Sequence, residues 1–109
     1  MKGKLVLIHF PFTDLISAKL RPALVLMEGE KDCVVVFISS KIPAQASSTE
    51  ILIPEEHEEF AGTGLKRSSV IKVDKIATIS KELMLGEIGE IGETLRREVN
   101  KKLREAYQL

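Results

Sequence analysis

Short apolar runs, each closed by a turn signal, recur along most of this chain: Leu5 to Phe10, Ala23 to Met27, Cys33 to Ile38, Glu50 to Ile53, Ser68 to Val73 and Lys75 to Ile79. Runs this short, rich in Val, Ile, Leu and Phe, fit strands better than core-burying helices. Pro11, Asp14 and Ser17 interrupt the first gap, and Glu28-Gly29-Glu30-Lys31-Asp32 suits a hairpin loop between the second and third runs. Residues 41–50 (KIPAQASSTE) read as a polar surface loop, Pro54 stops the fourth run, and Gly62 and Gly64 punctuate the approach to the fifth. Strands so frequently turned predict a meander curling into a small barrel, because closure removes exposed sheet edges.

From about Glu93 the period becomes that of a helix, with Leu95, Val99, Leu103 and Ala106 along one stripe and Arg96, Arg97, Lys101, Lys102 and Arg104 opposite. Glu90 and Glu93 lie near its start and the basic residues later, the order that complements the helix dipole. Gly92 is a tolerable N-cap. The stripe points to a helix covering the barrel, with nucleic-acid binding by the basic face as the alternative. At 109 residues and 12.1 kDa the chain has the size of a single domain, 1–109, of mainly β (α+β) class.

Sixteen Lys and Arg balance sixteen Asp and Glu, so any contact with nucleic acid needs a local basic patch. Lys2, Lys4, Lys19, Arg21 and Lys41 bias the first part of the chain towards positive charge. The acidic run Glu55, Glu56, Glu58, Glu59 reads as a solvated loop or a one-turn helix rather than a metal or partner site. Cys33, the single cysteine, lies in an apolar run and reads as a buried inert thiol, which suits a reducing cytoplasm. The start Met1-Lys2-Gly3-Lys4 lacks a signal-peptide pattern, and no segment approaches the roughly 18 apolar residues of a membrane span. A cytoplasmic protein without a membrane partner is the expectation.

The chain contains no CxxC, HExxH, GxxxxGK[ST] or GxSxG, and His9 and His57 have no ligand-like spacing. What remains is Phe10-Pro11-Phe12-Thr13-Asp14, then Arg21-Pro22-Ala23-Leu24-Val25-Leu26, then Ser39-Ser40. An arginine opening a strand before a proline that cannot donate to the ladder would set a guanidinium at a barrel rim. Each feature alone also has an ordinary reading: a solvated arginine, and serines that end a strand.

Together these blocks resemble the MazF/PemK family of toxins from toxin–antitoxin pairs. Gly3 to Leu7 looks like the family's opening strand, Phe10 to Asp14 like its "PFTD" turn, Arg21 to Leu26 like its "RPALVL" strand, and Phe37 to Ser40 like its "ITS" segment. Gly64-Leu65 through Ile71, with Asp74 to Ile79, is similar to its "GL...SVV...DKIATI" block, and Ile88-Gly89 to its "KIG" before the last helix. The resemblance implies an SH3-like barrel, a homodimer, a cognate antitoxin, and endoribonuclease activity on single-stranded RNA with no metal or cofactor. It implies attack of the ribose 2'-OH on the adjacent phosphorus, leaving a 2',3'-cyclic phosphate and a 5'-OH. Arg21 and Ser39 occupy the positions of its catalytic pair, with Phe12, Thr13, Lys19, Ser40 and Lys41 as RNA-binding candidates. A bidentate guanidinium suits the charge that develops on a phosphorane, while an unaided serine is too weak a base, so Ser39 would bond the phosphate or relay a proton.

Two positions depart from the family pattern: Lys4 stands where an aspartate is common, and Ser39 replaces threonine, keeping the hydroxyl without the methyl that limits its rotamers. His9 reads as a half-buried strand residue, with an acid–base role as the alternative. A non-enzymatic toxin of the CcdB type, which binds and poisons DNA gyrase, is the competing function, and an inactive barrel that binds a partner peptide is the third.

Overall fold

Alternation of side chains sets how the first three strands pair. In the computed structural model, which describes residues 1–10 and 19–109, β1 (Lys4–Phe10) pairs antiparallel with β2 (Lys19–Glu28), and β2 pairs antiparallel with β3 (Asp32–Ser39). The cross-strand neighbours Leu5, Leu24 and Val36 bury themselves on one face, and Val6, Ala23, Val25 and Val35 on the other. A one-residue slip would exchange the two sets, so burial on both faces pins the register. The Gly29 N–H donates to the Asp32 carbonyl at 2.7 Å and closes the hairpin at the anticipated place.

β4 (Glu50–Ile53) and β5 (Ser69–Ser80) complete one flank of the sheet, and β6 (Met84–Glu90) the other, in the order β4-β5-β3-β2-β1-β6. The two runs expected on either side of Asp74 are one twelve-residue strand. Its bend lies inside it: Phe37 pairs with Lys72 but the preceding Val36 pairs with Ile76, so residues between 72 and 76 bulge out of the β3 ladder. β6 was not anticipated as a strand, because its sequence MLGEIGE carries two glycines and two glutamates and no apolar run.

The sheet is open, and this corrects the expectation of a closed barrel. β4 and β6 are its two edges and do not pair with each other. The short helix α1 (Phe60–Thr63), which follows β4, lies against β6 instead. Two glycines make that approach possible. A Cβ on Gly89 would fall 2.3 Å from the Gly62 carbonyl oxygen, and Gly64, at φ +74°, sits against the backbone of Ile88.

The helix α2 (Glu93–Tyr107) begins where the period predicted, with Gly92 as its N-cap. Leu95 and Val99 are buried against Leu5, Leu24, Ile51, Ile53, Ile71 and Val73, Leu103 is partly buried there, and Ala106 is exposed. The second core, on the other face, holds Val6, Ile8, Ala23, Val25, Cys33, Val35 and Ile79, with Met1, Leu83 and Met84 packed against it. Among the described residues, no helix is long and apolar enough to cross a membrane.

Candidate active site

Arg21 lies inside β2 rather than at its start, beside Ile8 of β1. The paired positions of β2 and β3 end at Ala23 and Phe37, so at Pro22 the strand has a ladder on one side only, the setting in which a missing N–H is tolerated. Beyond that point the two strands part, and a cleft of about 380 Å³ opens. Leu7, Leu20, Arg21 and Pro22 line it from β1 and β2, and Ile38 and Ser40 from β3 and the residue after it. Gly64, Leu65, Lys66 and Arg67, which follow α1, and Ile88 of β6 supply further wall, with Ser69 at the start of β5.

Among the described residues the lining is apolar apart from Ser40, Ser69 and three cations, Arg21, Lys66 and Arg67, and includes no carboxylate. None of these cations makes an ion pair with another described residue. A concave wall with several positive charges concentrates anions, and a polyanion with apolar planar groups matches both parts of the lining.

Of the residues picked out in the sequence, Arg21 and Ser40 line this cleft. Ser39 is half-buried and its Oγ accepts a hydrogen bond from the Lys41 N–H at 3.1 Å. It is not among the lining residues, although continuing the Ala23–Phe37 register by two positions sets it across from Arg21. Lys19 and Lys41 are exposed and outside the lining. Phe12 and Thr13 fall outside the described residues. Lys66 and Arg67 were missed. Their signal was an adjacent basic pair just after Gly64, read only as part of a block that leads into a strand.

His9 is half-buried in β1, and its enclosed Nδ1 has no hydrogen-bond partner among the described residues. His57 Nδ1 accepts from the Glu59 N–H at 2.9 Å, a turn-forming bond. Lys4 reaches Glu90 at 3.3 Å and Glu87 at 4.0 Å, so the lysine in the place of an aspartate ties β1 to β6.

A family model for PemK-like, MazF-like toxins of type II toxin–antitoxin systems matches residues 1–107. The chain belongs to that family. Among solved structures, an endoribonuclease in complex with its cognate antitoxin from Mycobacterial species superposes with a TM-score of 0.75 at 16% identity, over 100% of this chain and 95% of that one. The Mycobacterium tuberculosis toxin MazF-mt6 gives 0.74 at 19% identity, over 97% of each chain. MazF from Deinococcus radiodurans gives 0.72 at 21%, over 99% and 96%. At these identities the likeness shows a shared fold. No curated protein sequence matched the chain significantly. This PemK/MazF-like toxin has a cationic cleft at the parting of β2 and β3.

Proposed function

We propose that this PemK/MazF-like toxin is a metal-independent endoribonuclease that binds single-stranded RNA in the cleft and cleaves it by transesterification. The observation that carries the reading is the grouping of Arg21, Lys66 and Arg67, beside Ser40, on a wall with no carboxylate among the described residues. The ribose 2'-OH gives up its proton as its oxygen attacks the adjacent phosphorus, the P–O5' bond breaks, and the leaving 5'-oxygen takes up a proton, so the products are a 2',3'-cyclic phosphate and a 5'-OH. Arg21 bonds the non-bridging oxygens as their charge grows. Ser39 holds the phosphate or passes a proton, and Ser40 contacts the RNA backbone from the cleft wall. Phe12, Thr13, Lys19 and Lys41 are assigned to the flanking RNA. The same reading has the protein in the cytoplasm as a homodimer held in check by a cognate antitoxin, as the mycobacterial neighbour is bound to its own.

Purified protein incubated with single-stranded RNA in EDTA should yield fragments ending in a cyclic phosphate. Arg21→Ala should lower kcat by on the order of a thousandfold, the scale for losing a principal transition-state donor. Ser39→Ala should lower kcat, whereas Ser40→Ala should chiefly raise KM. Cleavage that survives Arg21→Ala would overturn the site assignment, and intact RNA together with blocked DNA supercoiling would move the reading to a gyrase poison.

A further inference from the structure

Two of the three cleft cations stand on a segment that cannot hold itself in place. Lys66 and Arg67 follow α1, a helix of four residues, far below the length at which a helix is stable alone. Something else must fix it. Thr63 is fully buried and staples the turn: its Oγ1 donates to the Phe60 carbonyl at 2.6 Å and accepts from the Leu65 N–H at 3.2 Å. On one side α1 meets the glycine contact with β6 described above.

On its other side the tie is Glu59. Its Oε2 accepts from the Thr94 N–H at 2.8 Å and its Oε1 from the Leu95 N–H at 2.9 Å. These are open amides of the first turn of α2, which a helix normally satisfies with its own N-cap side chain. Gly92 has none to offer. A Cβ there would lie 2.5 Å from the Glu59 carboxyl carbon, so the glycine leaves the space that the carboxylate fills. The Glu59 N–H is in turn held by His57. The cap is therefore borrowed from a residue 35 positions upstream of Thr94, and in borrowing it α2 anchors the segment that leads to Lys66 and Arg67.

We propose that Glu59 is a positioning residue of the cleft: by joining α1 to the N-terminus of α2 it fixes Lys66 and Arg67 where they hold the RNA backbone. This rests on the ribonuclease reading. Glu59 itself does not line the cleft, and it acts only through the cations it places.

Two measurements separate the anchor from the reading beneath it. Hydrogen–deuterium exchange of the free protein needs no RNA: Glu59→Ala should speed exchange across residues 60–68 at least tenfold while leaving β1 to β3 unchanged. Glu59→Gln, which keeps one acceptor oxygen, should fall between the wild type and Glu59→Ala. Binding is then read by fluorescence anisotropy with a labelled mixed-sequence oligoribonucleotide whose 2'-O-methyl groups block cleavage. Each phosphate neutralised on a single strand contributes about 0.7 to the slope of log K against log salt, so losing two contacts should flatten that slope by about 1.4. The Lys66→Ala/Arg67→Ala double variant and Glu59→Ala should show this same flattening, and adding Glu59→Ala to the double variant should cost no further affinity. Unchanged exchange at 60–68 overturns the anchor, and additive losses overturn its action through the two cations. A wild type that binds no RNA overturns the ribonuclease reading and with it the role assigned to the cations, whatever the exchange shows.

Discussion

Replacing Gly89 by alanine adds one methyl group at the closest approach between α1 and β6. The new Cβ would stand 2.3 Å from the Gly62 carbonyl oxygen, and 2.4 and 2.5 Å from the Thr63 carbonyl carbon and oxygen. All three are backbone atoms, so no rotamer change relieves the clash. Ordinary contact requires roughly 1 Å of separation to be gained, and only a retreat of α1 or a shift of β6 supplies it. Overpacking of this kind costs about 1–3 kcal/mol. At about 4–8 °C per kcal/mol for a domain near this size, the melting temperature should fall by roughly 4–24 °C in a calorimetric or circular-dichroism melt. Gly62→Ala is the matched control, since its Cβ would meet only the Glu90 carbonyl oxygen at 3.8 Å, and that variant should melt within about 2 °C of the wild type. If Gly89→Ala also melts there, α1 is not seated on β6, and the account of how the open sheet is covered fails.

Two further outcomes follow from the contacts of α2. The Tyr107 hydroxyl donates to the Val73 carbonyl at 2.5 Å, so Tyr107→Phe should cost about 1 kcal/mol and speed amide exchange in the last turn of α2; unchanged exchange would show that the bond does not hold the helix end. Burial by itself would raise the Glu59 carboxyl, but the Leu95 and Thr94 N–H groups outweigh it and hold the group below its ordinary value. With the folded value below the unfolded one, the stabilisation is whole above about pH 4.3 and is lost as the pH falls through the folded value. In urea titrations, Glu59→Gln should therefore be less stable than the wild type at neutral pH and converge with it in acid, and a constant gap at all pH values would refute the charge-dependent cap.

The strands that alternate or run apolar were legible because both faces of the sheet are buried. Leu5 to Phe10 and Cys33 to Ile38 were placed to within a residue at either end, and Glu50 to Ile53 was placed exactly as the ladder has it. Helix α2 was legible for the same reason, its apolar period facing a core. β6 was not, since its position is set by pairing with β1 and by the Lys4 ion pairs across that ladder, partners distant in sequence. The acidic run was read as solvated charge by composition. Glu59 departs from that reading because a residue far along the chain, Gly92, leaves room for its carboxylate, and no local pattern records such a complementarity. The cleft was half legible: Arg21 lies on β2 and Ser40 directly after β3, strands whose order could be guessed, while Lys66 and Arg67 arrive by way of α1, whose seat depends on two glycine contacts.

A chain with no net charge can still present a polyanion with a cationic surface if its acids are occupied elsewhere. Glu28 takes the Met1 ammonium at 3.0 Å and Lys81 at 2.8 Å, Glu50 takes the Ser47 N–H at 2.9 Å, Glu59 caps α2, and Glu90 pairs with Lys4. Each of these carboxylates joins two elements or closes a turn, and none lines the cleft. Lys4, Lys72, Lys81 and Arg97 are correspondingly drawn into ion pairs with them or with Glu93, while Arg21, Lys66 and Arg67 are left without an acidic partner among the described residues. Segregation of this kind keeps attraction short-ranged: beyond roughly 8 Å at physiological salt the field of the cleft is screened, so a strand of RNA would be held at the cleft rather than gathered over the whole surface.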